Sequence, residues 1–166
     1  ATLVTGNDSL LIDVAGWGKM NFLLFEQRAP RPTQRLIQLA DDDFYDNITF
    51  HRIVNGFVIQ GGDPTGTGSG GSPRGDFDDQ YHEELQHNRT GTLSYAKSTD
   101  DSNDSQFFIT EGATRHLDGN HSVSGIIVEG DKNRESISTN SPTNPRTVVM
   151  NSVDRFTDNE NAVIML

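Results

Sequence analysis

Phe50-His51-Arg52-Ile53-Val54-Asn55-Gly56-Phe57-Val58-Ile59-Gln60-Gly61-Gly62-Asp63 reads as two short strands, Ile48 to Ile53 and Gly56 to Gly61, folded back on each other at Asn55-Gly56. An Asn-Gly pair between apolar runs is a strong hairpin signal, because both residues tolerate the positive φ that a tight turn demands. The stretch sets one arginine and one glutamine among large apolar groups. A polar side chain buried in a strand costs free energy unless it is hydrogen-bonded, so Arg52 and Gln60 ask for an explanation that Ile53 and Ile59 do not. A second segment, Ser105-Gln106-Phe107-Phe108-Ile109-Thr110, repeats the arrangement. Adjacent strand residues point to opposite faces, so one of Phe107 and Phe108 belongs to a core and the other to a surface or a site.

Outward from these segments, Leu10 to Val14 and Met20 to Phe25 read as strands joined by a turn at Ala15-Gly16-Trp17-Gly18. Leu93 to Ala96, Gln106 to Thr110, Val123 to Val128, Thr147 to Val153 and Ala162 to Leu166 read as later strands. Pro30 to Ala40 reads as a helix, with prolines near its start and Leu36, Ile37 and Ala40 spaced for one buried face. Asp131 to Ser138 reads as a second, short helix. Asp41-Asp42-Asp43 opposes the macrodipole at a helix C-terminus and is expected beyond it, in solvent; it lacks the alternating ligand spacing of a calcium loop. From Pro64 to Gln80 the chain is rich in Gly, Ser, Thr, Asp and Pro, a long loop of the kind that often serves a site. Many short strands and few helices point to a mainly β chain, an antiparallel barrel or sandwich.

Composition narrows the function. The 166 residues fit one domain, with a core of about 10–155. A formal charge of -11 argues against nucleic acid and anionic membrane surfaces, which need clustered Lys and Arg. It favours an exported or cell-surface, bacterial setting. With no cysteines, disulfides, thiol catalysis and zinc-cysteine sites are excluded. No apolar run approaches the roughly 20 residues that cross a bilayer. The chain starts at Ala1 without a secretory signal, as a processed or excised piece would. Thr5-Gly6-Asn7-Asp8 and Thr157-Asp158-Asn159-Glu160-Asn161 read as junctions to neighbouring domains. The glycine-rich stretch Gly61 to Gly71 lacks the Gly-Lys-Ser/Thr ending of a phosphate loop. His82, Glu83, Glu84 and His87 lack metal-ligand order, so no metal is expected. Asp100-Asp101-Ser102-Asn103-Asp104 reads as a solvated turn.

The two polar-aromatic segments resemble the halves of a cyclophilin active site, the peptidyl-prolyl cis/trans isomerase family. Ala29-Pro30, Phe44-Tyr45-Asp46, the glycine-rich tail to Gly71, Gly91-Thr92-Leu93-Ser94 and Leu117-Asp118-Gly119-Asn120-His121 follow in family order. The resemblance implies a closed eight-stranded antiparallel β-barrel capped by two α-helices, with the binding groove on its outer face. It implies isomerisation of X-Pro bonds without a cofactor and, as partners, proline-containing peptides and flexible protein segments, with the chain acting as a monomer.

On strand pattern alone Arg52 is as much a surface ion pair as a functional group. The resemblance makes Arg52, Gln60 and Phe57 the catalytic set, with Gln60 gripping substrate backbone and orienting Arg52. Phe57, Val58, Phe108 and Leu117 are then the proline pocket, and Phe107 is core. Ala96 and Lys97 bind the residue before proline through main-chain groups, and Gln106 and His121 line the groove. His51 points the other way on an alternating strand and reads mainly as packing, while staying in the substrate-binding set. His116 stands where many members have tryptophan, implying weak cyclosporin binding. Ser124 replaces an aromatic and is expected to thin the pocket wall, with Tyr95 compensating in part. A peptide binder without rate enhancement, or a structural unit of a larger surface protein, are the rival readings.

Overall fold

The computed structural model describes residues 3–140 and 148–165, with side chains described over 8–140 and 148–156. The β-strands are β1 (Leu3–Val14), β2 (Gly18–Leu24), β3 (Arg52–Val54), β4 (Val58–Gly61), β5 (Thr92–Tyr95), β6 (Phe107–Thr110), β7 (Val123–Glu129) and β8 (Met150–Met165). Helix α1 (Pro30–Asp41) follows β2, and α2 (Asp131–Asn140) follows β7. The strands form one antiparallel sheet in the order β3-β4-β6-β5-β7-β2-β1-β8. The sheet curls round a core, but its two edge strands do not pair as a ladder. Closure comes from the segment before β3: Thr49 bridges Val149, and Asn47, Ile48 and Phe50 exchange main-chain hydrogen bonds with Met150 and Val148. The barrel is thus an eight-stranded sheet joined across its seam by a short bridge, less fully closed than expected.

Alternation sorts the side chains. Ile53, Ile59, Ile109 and Leu93 stand opposite one another across β3, β4, β6 and β5 and face the interior. Phe107 and Tyr95 form the neighbouring interior pair. Tyr45 meets Phe107 edge-on at 5.4 Å and donates from its hydroxyl to the Ser105 carbonyl at 2.8 Å, which satisfies the one polar group that a buried tyrosine carries. Leu36 and Leu39 of α1 and Ile137 of α2 pack into the same core. The buried face of α1 uses Leu36, Leu39 and Ala40, with Ile37 only half-buried, so the stripe is rotated from the one expected. A smaller apolar cluster, Leu23, Phe25, Ala29, Leu85, Val123 and Ile126, lies apart from the main core. Leu23 and Ile126 are opposed neighbours on the sheet, and Leu85 comes from the long connection before β5.

Several boundaries differ from the sequence expectation. β1 begins at Leu3, pairing with β8 across the polar Thr5-Gly6-Asn7-Asp8 stretch and a register shift between Gly6 and Asp8, which interrupt the hydrophobic alternation. The two segments read as junctions fall in this ribbon, and β8 is one strand where two were expected. Thr147 and Leu166 lie outside the described residues. The helix includes Asp41, and Asp43 takes a left-handed φ of 55° beyond it.

Gly62, just past β4, has φ 95°, and a Cβ there would stand 2.4 Å from the Ser105 carbonyl oxygen. Gly16 has φ 80° but open space around it. Gly62→Ala is therefore expected to cost about 3 kcal/mol and Gly16→Ala about 1 kcal/mol, since only the first adds a backbone clash to the left-handed strain. Urea unfolding of both variants reads the difference. Equal losses would mean that close approach to Ser105 does not require glycine at 62.

Candidate active site

Antiparallel register sets Arg52 opposite Gln60, Gln60 opposite Phe108, and Phe108 opposite Ser94. Directly opposed residues share a sheet face, so these four form one row on the outer surface, back to back with the isoleucine row of the core. Arg52 donates from Nη1 to Gln60 Oε1 at 3.4 Å, and Gln60 Nε2 donates to Gln106 Oε1 at 3.2 Å. Gln106 Nε2 in turn donates to the Gly68 and Gly70 carbonyls at 2.8 and 3.1 Å. The two amides run head to tail, and their far end is anchored in the glycine loop. That polarity leaves Gln60 presenting its carbonyl oxygen to the guanidinium. The Arg52 guanidinium also lies 5.9 Å from the Phe57 ring centre, and Phe57 stacks on exposed His116 at 5.8 Å.

Phe108 is on the outer face yet only 4% exposed. It stacks against His87 at 5.9 Å and meets His121 edge-on at 5.6 Å. His121 Nδ1 sits 2.9 Å from the Tyr95 carbonyl, and burial moves its imidazole below the ordinary 6.5. His87 is fully buried, with Nδ1 3.0 Å from Asp118 and Nε2 2.9 Å from the Ser94 hydroxyl. Burial pulls the His87 imidazole downward and Asp118 draws it back only in part. Acid, imidazole and hydroxyl thus follow one another as in a hydrolase triad. Ser94, however, is 0% exposed, so no substrate reaches its hydroxyl. The arrangement instead fixes the ring on which Phe108 rests.

Beside the row lies a recess of about 450 Å³, walled by Gln60, Gln106, Ala96, Lys97, Asp76 and the glycine loop. The loop is organised by Asp63, 1% exposed, whose carboxylate accepts from the Thr65, Thr67 and Gly68 main-chain N–H groups and from the Thr65 hydroxyl. Burial pushes this acid upward, but the hydrogen bonds outweigh it and hold the carboxyl at about 2. On the opposite wall Lys97 is committed to Asp79 at 2.8 Å, Asp100 at 3.0 Å and the Tyr81 hydroxyl at 3.0 Å. Burial alone would lower the ammonium, yet these partners raise it above its ordinary value.

Most of the expected site residues converge on this face. Phe57, Leu117 and His116 are partly or fully accessible, and Val58 is buried beside them in the outer-face register. Tyr95 is the clear exception. Its side chain is fully buried in the core against Phe77, 4.9 Å away, and only its carbonyl reaches the groove side, through His121. Its strand parity, opposite Phe107, decides this. Ser124 is likewise fully buried and contributes to no open wall. The N–H of Ala96 is spent on the Gln106 carbonyl at 3.0 Å, and the Lys97 side chain is tied up as described. His51 lies against the glycine loop, 3.7 Å from where a Cβ of residue 68 would stand.

The segment read as a solvated turn is a structural knot. Asn103 is fully buried, Phe77 and Asn103 form a β-bridge, and Asp104 binds Arg35 at 2.8 Å and the Ser72 main chain. Sequence reasoning missed His87, Asp63 and Glu111. Of these only Asp63, followed by Thr at 65 and 67, carried a local signal, that of a side chain capping its own turn. Among the described residues no group of three or more His, Cys, Asp or Glu could hold a metal; Glu84 pairs with Arg28 at 2.6 Å.

Because the Asp63 carboxyl is lowered in the folded state, its stabilisation is present above the ordinary 3.8 and lost as pH falls toward about 2. The unfolding free energy of wild type should fall more steeply than that of Asp63→Asn across that window, measured by denaturant titration at each pH. Parallel slopes would deny Asp63 its role in the loop.

Residues 10–156 match the cyclophilin type peptidyl-prolyl cis-trans isomerase/CLD family. Peptidyl-prolyl cis-trans isomerase ppi1 of Schizosaccharomyces pombe is 48% identical over 115 residues, covering 68% of this chain and 74% of the relative. The human peptidylprolyl isomerase domain and WD repeat-containing protein 1 is 40% identical over 143 residues, or 85% of this chain, but the chain spans only 22% of that protein. A peptidyl-prolyl cis-trans isomerase-like 2 of Rhizopus delemar is likewise spanned over 22% of its length. Among solved structures, the cyclophilin type isomerase of Cryptosporidium parvum superposes with a TM-score of 0.85 at 30% identity, covering 92% of this chain and 99% of that one. Its structure in the presence of the dipeptide Ala-Pro gives 0.83 at 31% identity. These relatives are eukaryotic, so the bacterial character expected from charge finds no support among them. With an outer-face row of Arg52, Gln60 and Phe108 on the cyclophilin fold and a family match over nearly its whole length, the chain belongs to the cyclophilin type peptidyl-prolyl cis-trans isomerases, enzymes that turn X-Pro bonds without a cofactor.

Proposed function

We propose that Arg52 drives the isomerisation, with Gln60 orienting it and Phe57, Val58, Phe108 and Leu117 holding the proline ring. Rotation about an X-Pro bond faces a barrier of about 20 kcal/mol, set by resonance between the prolyl nitrogen lone pair and the carbonyl. No nucleophile or metal is needed. The catalyst has to fix the ring, let the preceding carbonyl swing, and favour the twisted state in which the lone pair is localised. A guanidinium is always protonated and offers a rigid fork of donors. Directed at the proline nitrogen and its own carbonyl, it binds the twisted amide more tightly than either planar form, which is where rate acceleration comes from.

What supports this reading is one observation above the others: Arg52 stands in the same outer-face row as Phe108, with Gln60 between them at 3.4 Å from the guanidinium. The carbonyl of Ala96 and the main chain of Lys97 are then the groups left to grip the residue before proline. Substrates on this account are extended X-Pro segments of flexible or unfolded protein. His116 in place of a frequent tryptophan supports weak cyclosporin binding, and a charge of -11 favours an exported or surface location.

Exchange NMR on an Ala-Pro peptide, wild type beside Arg52→Ala, tests the assignment. The variant should lose about tenfold or more in kcat/KM, equivalent to about 1.4 kcal/mol of transition-state stabilisation. A folded Arg52→Ala with wild-type turnover would sink it.

The recess adjoins Ala96, so it is the place for a side chain upstream of the X-Pro bond. Its exposed acid is Asp76, while Lys97 is neutralised by its own partners. Peptides with Lys upstream should therefore be turned over about twofold to fivefold faster in kcat/KM than those with Glu, the span of a surface ion pair. The preference should shrink in high salt and in Asp76→Asn. Equal rates for the two peptides at low salt would remove the recess from substrate selection.

A further inference from the structure

Glu111, the residue after β6, is a buried acid without a part in the chemistry just described. Its side chain is only 3% exposed, and a carboxylate so placed is costly unless its oxygens are engaged. Two separate parts of the chain engage them. From α2, Arg134 Nη1 lies 3.2 Å from Oε1, and the Ser138 hydroxyl donates to Oε2. From the β3–β4 turn, the Gly56 main-chain N–H donates to Oε2 at 3.0 Å. The main chain tightens the join, with the Glu111 N–H donating to the Phe57 carbonyl at 2.9 Å, and the Ser138 hydroxyl that serves Glu111 also lies 3.1 Å from the Asn55 side-chain amide. Arg134 is itself set by Asp131 at 2.7 Å.

We propose that Glu111 is a positioning residue for isomerisation, gripping Asn55-Gly56-Phe57 so that the Phe57 ring and the Arg52 guanidinium beside it stay where the substrate needs them. The proposal rests on the roles given to Phe57 and Arg52 above. Asn55 and Gly56 are exposed at a tight turn, and Gly56 holds a left-handed φ of 78°. Turns of that kind move on the nanosecond to microsecond scale unless tied down. Among the described residues, a long, exposed hydrogen bond to Gln60 and the face of Phe57 are what locate Arg52. Glu111 supplies the rigidity from behind, linking the turn to β6, which carries Phe108, and to α2. A displacement of about 1 Å in a catalytic group can cost about a hundredfold in rate, so a partial loosening is expected to cost less.

The test is kcat and KM on an Ala-Pro peptide for Glu111→Ala, Glu111→Gln, Phe57→Ala and the double variant Glu111→Ala/Phe57→Ala, each assayed well below its melting temperature. Glu111→Ala should lower kcat about fivefold to tenfold with KM within about twofold, because a loosened Arg52 is missed in the transition state more than in binding. Glu111→Gln keeps an acceptor for the Gly56 N–H and should retain about half the activity or more. In the Phe57→Ala background the further loss from Glu111→Ala should fall below about twofold, as it does when two residues act through one another. If Glu111→Ala does not fold, Ser138→Ala replaces it in the same cycle with the same expectation of non-additivity. A kcat within twofold of wild type, or a loss undiminished in the Phe57→Ala background, overturns the proposal while leaving the active-site assignment intact. Wild-type turnover by Phe57→Ala overturns both, and so separates the two failures.

Discussion

The site depends on strand register. Arg52, Gln60, Phe108 and Ser94 face outward because Ile53, Ile59, Ile109 and Leu93 face inward on the same four strands. Strand side chains alternate with period two, so a slip of one residue in any pair would turn the isoleucine row into solvent and bury a guanidinium. The apolar core thus enforces the geometry of the polar row without touching it. The same parity decides Phe107 against Phe108, and it takes Tyr95 into the core beside Phe107. Register decides which face each of these side chains takes. Burial of the isoleucines, leucine and phenylalanine on one face fixes what the other face displays.

What register leaves loose, the long connections fasten. Asp63 gathers main-chain N–H groups of the glycine loop, and that loop anchors Gln106, then Gln60, then Arg52. On the other flank buried His87, held between Asp118 and Ser94, makes the ring against which Phe108 lies. Lys97 ties the loop through Asp79 to the one through Asp100. Each anchor is a charged or polar group whose hydrogen-bonding capacity is largely used by the protein itself. Such networks are rigid in a low-dielectric surround, and they leave the groove with few charges free to meet a substrate.

Much of this was legible in the sequence. The hairpin at Asn55-Gly56, the prolines opening α1 and the alternating segments around Phe107 and Gln60 are local signals; α1, β4 and β6 lie within two residues of their expected ends. The strand expected from Ile48 to Ile53, by contrast, is ladder-paired only over Arg52–Val54, its first half being drawn to the seam by the Thr49–Val149 bridge. That Arg52, Gln60 and Phe108 would share one face was legible from strand parity, whereas the roles proposed for them, and for Phe57, Gln106 and His121, come from family resemblance, since spacing alone cannot tell a functional arginine from a surface ion pair. What stayed hidden was set by contacts distant in sequence. The burial of Asn103 depends on Phe77, the role of His87 on Asp118, and that of Glu111 on Gly56 and Arg134. The early start of β1 was hidden for another reason: Thr5-Gly6-Asn7-Asp8 and the register shift there break the side-chain alternation between Leu3-Val4 and Leu10, while main-chain pairing with β8 runs through.

On the proposed mechanism, an X-Pro bond is held and turned on the outer-face row of Arg52, Gln60 and Phe108. Intermolecular NOE spectroscopy on the protein with an Ala-Pro peptide tests it most directly, because it reports proximity rather than the consequence of a substitution. Cross-peaks are expected from the proline ring protons to the rings of Phe108 and Phe57 and to the Val58 methyl groups, with cis and trans peptide signals in exchange. Saturable binding whose cross-peaks lie on another face of the sheet would contradict it.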